Sequence, residues 1–154
     1  MNGQNAPHEI PSSDERLLAM LSHLSVFMGG IILPIIIWAT QKDKSRFVKF
    51  HSLQAIFLQL VLVAIVIFIV IILVIIMLIA GAGSDIFGSH HHGGQQDMPP
   101  VLIFLLIATY SGIFLIILSG IIYSVYLALK SYNGFLIKIP VIGNMIYKKV
   151  YEQN

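Results

Sequence analysis

The amino-acid sequence predicts an all-α integral membrane protein with three transmembrane helices and a short C-terminal interfacial segment. Three observations predict this fold. The chain of 154 residues is 57% hydrophobic and only 10% charged, whereas an ordinary globular domain is roughly 25% charged. Three long apolar runs contain no charged residue. The chain also has no Cys, which excludes a disulfide framework and a thiol nucleophile.

The three apolar runs are long enough to cross a bilayer as helices. We predict spans 17–39, 53–80 and 101–129, which together form a transmembrane domain over residues 17–129. A helix needs about 20 apolar residues to cross a hydrocarbon core about 30 Å thick. The runs lack the alternation of apolar and polar residues that marks the strands of a membrane barrel, so helices are favoured.

The sign of the charges divides the polar segments into two groups. The loop 40–52 and the tail 130–154 are net positive, whereas the N-terminal tail 1–16 and the Gly- and His-containing loop 81–100 are net negative. Lys and Arg are enriched on the cytoplasmic side of membrane proteins. We therefore expect the basic loop and the C-terminus in the cytoplasm, and the N-terminus and the loop 81–100 outside.

The start of the first span carries the signals of a helix N-terminus. Ser12 and Ser13 are typical N-cap residues, and Asp14 and Glu15 favour the first turn because they face the positive end of the helix dipole. The segment lacks the basic region of a secretory signal. We expect the first run to remain in the protein as a membrane helix.

The first span also contains a predicted kink. Pro34 cannot donate a hydrogen bond to the carbonyl of Gly30, and Gly29 precedes it. A static packing kink is favoured over a moving hinge, because proline is well tolerated in membrane helices.

Polar side chains inside the spans are few and uncharged, and such groups are costly in hydrocarbon unless they are paired. His23 in the first span lies at a depth similar to that of Thr109 and Tyr110 in the third. We expect a hydrogen bond between His23 and Tyr110. A proton switch or a ligand role for His23 is the alternative.

A second polar level is predicted near the cytoplasmic side. Gln54 and Gln59 in the second span lie at a depth similar to that of Tyr123 and Ser124 in the third. We expect contacts between amide and hydroxyl groups at this level. The alternative is that these side chains line a pore.

Small residues recur at a four-residue step along the third span, which allows the close approach of another helix. They are Ala108, Gly112, Gly120, Ser124 and Ala128. Packing inside one chain is favoured over contact with a second subunit.

Residues that could perform chemistry are scarce. No Asp or Glu lies in any span and no Gly-x-Ser-x-Gly motif is present, so we expect neither catalysis nor a cofactor. His90, His91 and His92 are weak candidates for a transition-metal site, and a solvated polar loop is favoured.

The basic loop is predicted to contact lipid headgroups. Its attachment to membrane helices at both ends favours this over a nucleic-acid interface, so no nucleic-acid partner is expected. The residues concerned are Lys42, Lys44, Arg46 and Lys49.

The stretch from Arg46 to Ala55, RFVKFHSLQA, resembles the basic and aromatic entry to the second helix in prokaryotic membrane proteins of the Tic-twenty-like family. The segments 21–24, 34–38 and 42–45, with Asn133, Gly134 and Pro140, resemble a related family known only as a domain of unknown function. The resemblance implies a small helical protein of a prokaryotic cytoplasmic membrane. In one branch of the family it implies a component of a protein-conducting translocon.

We therefore expect a non-catalytic structural or accessory subunit of a membrane complex. Its partners are expected to be the lipid bilayer and either a second copy of the chain or a larger membrane protein. An oligomeric channel or translocon-like component is the alternative, and an intramembrane hydrolase is the third hypothesis. A pore would place the polar side chains around a common lumen, whereas an accessory subunit would pair them with each other.

Overall fold

A computed structural model describes residues 10–28, 30–87, 100–140 and 142–152 of the chain. These residues form helices and connecting turns without a β-strand, which confirms the all-α class. The helices are α1 (Ser13–Met28), α2 (Ile32–Gln41), α3 (Arg46–Phe87), α4 (Pro100–Tyr132) and α5 (Ile142–Tyr147), followed by a π-helical segment at Lys148–Glu152.

The chain divides into two compact units. The first unit combines Met1–Leu60 with Ile121–Asn154, and the second is Val61–Gly120. The first unit therefore contains α1, α2, the beginning of α3, the end of α4 and the C-terminal elements. The second unit contains the remainder of the two long helices.

Helix α1 begins with a capping box, as the Ser and acidic residues predicted. The backbone N–H of Ser12 donates to the Glu15 carboxylate at 2.7 Å, and the backbone N–H of Glu15 donates to the Ser12 hydroxyl at 3.3 Å. This reciprocal pair satisfies donors that a helix start otherwise leaves free. Ser12 is thus the N-cap of α1.

The predicted first span, 17–39, is wrong as a single helix. Helix α1 ends at Met28 and α2 begins at Ile32, and Gly30 between them has a φ of +55°. At 1.5 Å per residue, α1 is about 24 Å long and α2 about 15 Å, so neither crosses a core about 30 Å thick. Pro34 lies in the first turn of α2, where its missing N–H costs no helical hydrogen bond. The predicted kink is therefore a break in the helix, and Gly29 lies outside the described residues.

The contacts of α1 place its start beside the start of α3. The Ser45 hydroxyl hydrogen-bonds the Glu15 carboxylate and also accepts the backbone N–H of Val48, so one residue contacts the first turns of both helices. Further along, Ser22 on α1 contacts Ser52 on α3. Helices α1 and α3 therefore run in the same direction, and α2 returns the chain between them.

The start of α1 lies beside Ser45, at the end of the basic loop. The predicted placement of the N-terminus and this loop on opposite sides of the membrane stays a prediction. The side chain of Arg16 lies beside Gly134, just after the end of α4, and the neighbouring Glu15 contacts Ser45. The charge argument assumed one straight helix before the basic loop, whereas the chain reverses at Gly30. The predicted loop 40–52 is also too long, because Ser45 caps a helix that begins at Arg46.

Two helices are long and apolar enough to cross a membrane: Arg46–Ile79 within α3, and α4. None of the residues in their most apolar stretches is buried in the structure, unlike the core helix of a soluble protein. An exposed apolar surface of this size needs lipid around it. The protein is therefore a membrane protein, with two candidate spans among its described residues where the sequence predicted three.

The glycines of α4 differ in their surroundings within the second unit. A Cβ atom built on Gly120 would lie 2.6 Å from Leu62 Cδ1, so the absence of a side chain there lets the two helices approach. A Cβ atom on Gly112 would meet nothing within 4 Å. The predicted stripe of small residues thus serves helix packing at Gly120 and faces open space at Gly112.

Helix α4 ends at a glycine with a positive φ. Gly134 has a φ of +80°, and the N–H groups of Gly134 and Phe135 donate to the carbonyls of Ser131 and Lys130. These two bonds form a Schellman motif, which turns the chain away from the helix axis. The segment that follows returns to the beginning of α3.

Candidate functional site

A buried polar cluster joins α1 to the beginning of α3. Each of its side chains has at most 9% of its surface exposed. The polar cluster consists of Ser22, His23 and Ser25 from α1 and His51, Ser52 and Gln59 from α3.

A pair of serines forms the first link of the polar cluster. The hydroxyl oxygens of Ser22 and Ser52 are 2.9 Å apart, and the Ser22 hydroxyl also donates to the Leu18 carbonyl at 2.9 Å. A hydroxyl group has only one proton, so Ser52 is the donor between the two serines. Both hydroxyl groups are satisfied without water.

The two histidines of the polar cluster form the second link. His23 Nε2 lies 3.2 Å from His51 Nδ1, and the rings meet edge to face with centroids 5.5 Å apart. His23 Nδ1 and His51 Nε2 are buried and make no hydrogen bond, while the backbone of Phe135 lies beside His51. We assign the proton of this contact to His23 Nε2, which then donates to His51 Nδ1. In this tautomer the N–H group of His51 is at Nε2 and faces the neighbouring backbone. The opposite assignment would leave His23 Nδ1 as a buried N–H donor without an acceptor.

Gln59 forms the third link. Its side-chain amide donates to the Ser25 hydroxyl at 2.7 Å, and that hydroxyl donates to the Ser22 carbonyl at 2.7 Å. The result is a continuous path from a side chain of α3 to the backbone of α1. In a low-dielectric interior, such linked hydrogen bonds hold two helices in one register.

Gln54 binds a different partner, the segment after α4. Its amide nitrogen donates to the Ile137 carbonyl at 3.0 Å, and its amide oxygen accepts the Ile139 N–H at 3.4 Å. These two bonds replace the backbone partners that an extended segment lacks. Gln54 thus holds the C-terminal segment against α3.

Aromatic packing supports the same face of α3. The ring of Phe47 lies 4.6 Å from that of His51, and Phe50 packs against Ile146 and Val150 of the C-terminal elements. The basic and aromatic motif of the sequence therefore supplies packing contacts to both ends of the chain. Its uncharged polar members belong to the polar cluster, as His51 and Ser52 do, or bind the C-terminal segment, as Gln54 does.

The predicted polar partners are not the observed ones. His23 contacts His51 instead of Tyr110, which is 66% exposed, while Thr109 is half-buried. Gln59 contacts Ser25 instead of the hydroxyl groups of α4. The reason is that α3 begins at Arg46, which brings His51 into a helix beside α1 rather than into a loop.

The hydroxyl groups of α4 have other surroundings. Tyr123 and Tyr126 stack with ring centroids 6.2 Å apart, and Ser124 is buried. These three residues belong to the first unit, whereas Thr109 and Tyr110 belong to the second.

The predicted headgroup residues lie at the surface of the first unit. Lys42, Lys44 and Arg46 are exposed, and Lys49 is half-buried. Lys42 Nζ lies 5.9 Å above the ring of Trp38, a geometry that favours a cation–π contact. Their contact with lipid remains a prediction.

Metal ligands are not grouped in the described part of the chain. Among those residues no three His, Cys, Asp or Glu side chains come together. The weak candidates His90, His91 and His92 lie outside the described residues. The two histidines of the polar cluster have no carboxylate beside them in the described contacts, and none of the described serine hydroxyls bonds a His ring.

One acidic group near the site has a shifted pKa. The hydrogen bond from the Ser45 hydroxyl lowers the pKa of Glu15 below its ordinary value, and the Ser12 contacts act in the same direction. Partial burial opposes this effect. The carboxylate form of Glu15 therefore stabilises the junction between the starts of α1 and α3.

Comparison with known protein families shows where the chain belongs. The model of the magnetosome magnetite crystal formation protein family, MamF/MmsF, matches residues 14–146. The chain belongs to this family. The match extends from the first turn of α1 into α5 and covers every residue of the polar cluster.

Membership in the MamF/MmsF family corrects the resemblance to the Tic-twenty-like family, which was wrong. The short motif RFVKFHSLQA carried that resemblance, and most of its residues are buried against α1 or the C-terminal segment. Comparison of this MamF/MmsF protein with curated proteins and with solved structures gives no significant match.

Sequence reasoning missed four members of the site: Ser22, Ser25, His51 and Ser52. A signal was available in the spacing. Ser52 and Gln59 are seven residues apart, and Ser22 and Ser25 are three apart, so each pair lies on one face of a helix. Two polar faces on neighbouring apolar helices predict that the faces meet.

Proposed function

We propose that this chain is a non-catalytic membrane component that supports magnetite crystal formation in the magnetosome membrane. The description of the MamF/MmsF family supplies the process. The pairing of the polar side chains with one another supports the accessory role. That pairing is the single observation that favours a packed subunit over a pore.

The hydrogen-bond partners of polar side chains distinguish a packed subunit from a pore. A side chain that lines a wet lumen directs its donors and acceptors to water. In the polar cluster, the donors of Ser22, Ser25 and Gln59 point to protein acceptors. A channel would also need several copies of the chain, because a few packed helices leave no continuous lumen.

We propose a membrane arrangement with two full spans and one helical hairpin. Helices α3 and α4 cross the bilayer, while α1 and α2 enter and leave it on the same face. All nine Lys and Arg residues then lie on the cytoplasmic side, since none is present in 81–100. This distribution of Lys and Arg fits the proposed arrangement better than the three-span prediction, which placed Arg16 outside.

The proposed role is tested by expressing this chain in a magnetosome-forming host from which its own MamF/MmsF family member has been deleted. The wild-type chain is expected to restore magnetite crystals of normal number and size in electron micrographs. Gln59→Leu breaks the polar cluster and is expected to reduce restoration. Ser119→Ala is the matched control, because that hydroxyl is exposed and bonds only its own helix.

Two outcomes would contradict the proposed role. One is crystal formation that does not depend on the chain at all. The other is ion conduction by the purified chain in planar bilayers that is abolished by Gln59→Leu, because this would place Gln59 in a lumen.

The proposed arrangement is tested by cysteine labelling, which is simple because the chain has no Cys. Gln4→Cys, Ser89→Cys and Asn154→Cys are each exposed to an impermeant maleimide in spheroplasts of an expression host. Labelling at position 89 alone is expected before lysis. Labelling at position 4 before lysis would contradict the hairpin.

A further inference from the structure

An apolar groove lies between α3 and the C-terminal elements. It has a volume of about 180 Å³. Its lining residues are Leu53, Phe57, Ile142, Met145, Ile146 and Lys149. All of them belong to the first unit.

Both walls of this groove change from apolar to cationic along their length. On α3, Lys49 precedes Leu53 and Phe57 at steps of four residues, so the three side chains share one helix face. On the other wall, Ile142, Met145 and Ile146 precede Lys149 at a helical spacing. Each wall is therefore an apolar strip with a lysine at one end.

Lys149 is the charged residue of the groove lining, and Lys49 lies one helical turn before Leu53 on the α3 side. Residues near the two lysines contact each other, because the ring of Phe50 lies 6.1 Å from that of Tyr151. Phe50 follows Lys49 directly and packs against Ile146 and Val150, the residues on either side of the turn that carries Lys149. The groove thus presents a cationic end and an apolar remainder. Phe57 and Met145 keep 45% and 68% of their surfaces exposed, so the apolar part is open to an occupant.

We propose that this groove binds one anionic phospholipid, with an acyl chain along the apolar strip and the phosphate at Lys149 and Lys49. The charge at one end and the apolar lining match the two parts of such a lipid. The groove adjoins the first turns of a candidate span, where headgroups meet acyl chains in the proposed membrane arrangement. The proposal rests on that arrangement but not on the role in crystal formation.

The test uses the purified full-length chain and native mass spectrometry from detergent micelles. Dioleoyl phosphatidylglycerol and dioleoyl phosphatidylcholine are titrated separately. One tightly bound phosphatidylglycerol per chain is expected, with at least tenfold weaker binding of phosphatidylcholine. Equal binding of the two lipids would overturn the proposal.

Two charge reversals locate the headgroup. Lys149→Glu is expected to weaken phosphatidylglycerol binding at least tenfold. Lys148→Glu makes the same change in net charge on an exposed neighbouring lysine outside the groove lining, and it is expected to alter binding less than twofold. An equal effect of the two variants would show a diffuse electrostatic surface and would overturn the proposal.

A photoreactive phosphatidylglycerol with a diazirine in its acyl chain locates the apolar strip. Crosslinks are expected at Leu53, Phe57 or Met145, and Met145→Trp, which fills the groove, is expected to reduce them. Circular dichroism of each variant shows whether it is folded. Crosslinks between two copies of the chain through Phe57 and Met145 would instead make the groove a dimer contact.

These readouts separate the lipid site from the role in crystal formation. If Lys149→Glu still restores crystals while losing the lipid, the proposed function stands and the site is not required for it. If the wild-type chain binds the lipid but restores no crystals, the site stands and the proposed function fails.

Discussion

Glu15 acts at the residue scale by joining two helix starts. Its carboxylate accepts from the backbone of Ser12 and from the hydroxyl of Ser45. The capping half of this interaction was visible in the sequence, because a Ser followed three residues later by Glu marks a helix start. The hydrogen bond from Ser45 could not be predicted from the sequence, since it requires the chain to reverse at Gly30.

The lowered pKa of Glu15 predicts a pH-dependent contribution to stability. Because the folded pKa lies below the ordinary value of 4.5, the contribution is present above that value and is lost as the pH falls through the folded pKa. We expect Glu15→Gln to lower the thermal midpoint in detergent at about pH 6. The difference from wild type should be smaller at about pH 3, because falling pH protonates the carboxylate.

A difference that is equal at both pH values would contradict this prediction. Asp14→Asn is the matched control, because it removes an exposed carboxylate of the same helix turn. At the higher pH, Asp14→Asn is expected to lower the thermal midpoint less than Glu15→Gln does.

Gly134 and Gly112 form a matched pair for backbone effects. Gly134→Ala forces a side chain into a positive φ and should lower the free energy of unfolding by about 1–2 kcal/mol. Gly112→Ala meets no neighbour within 4 Å and lies inside α4, so it should be neutral or raise that free energy by up to about 1 kcal/mol. Chemical unfolding in detergent measures both, and equal effects would show that the Gly134 turn is not strained.

Helices α1 and α3 meet through the polar cluster, which is the main feature at the element scale. The sequence predicted that His23 and Gln59 would be paired, because lone polar groups are costly in hydrocarbon. It could not give their partners, since equal depth along a helix does not determine which helix is the neighbour. The break at Gly30 decides that question by placing α1 parallel to α3.

The contact between His23 and His51 should appear as an energetic coupling. His23→Ala and His51→Ala are each expected to lower the free energy of unfolding, and the double variant should lose less than the sum of the two. A coupling energy of about 0.5–1.5 kcal/mol is expected from a hydrogen bond within a membrane protein. Strictly additive effects in detergent unfolding would contradict the pairing.

Gln54 makes the C-terminal segment dependent on α3. Gln54→Leu removes both hydrogen bonds to the segment, so the segment should detach from α3 more often. Trypsin should then cleave the peptide bond after Lys138 several-fold faster. Lys138 is otherwise held over the ring of Tyr147, with Nζ 3.4 Å from the ring centroid. Gln59→Leu is the matched control on the same helix, because its lost partner is on α1, and its cleavage rate at Lys138 should stay near that of wild type.

At the scale of the whole molecule, composition was enough to predict an all-α membrane protein. The number of spans was not, because an apolar run of sufficient length can form two short helices when a glycine with a positive φ interrupts it. The side of the membrane on which the N-terminus lies stays a prediction for the same reason. Charge counting assigns the polar segments to faces, but it depends on the number of crossings between them.

The disulfide formed by a double variant, Ser22→Cys with Ser52→Cys, tests most directly the claim that polar side chains of α1 and α3 are paired. The native hydroxyl oxygens are 2.9 Å apart, and no other Cys competes. In membranes treated with a lipid-soluble oxidant, we expect a disulfide within one chain in nearly every molecule. Thiols that remain free, or disulfides only between chains, would contradict the account.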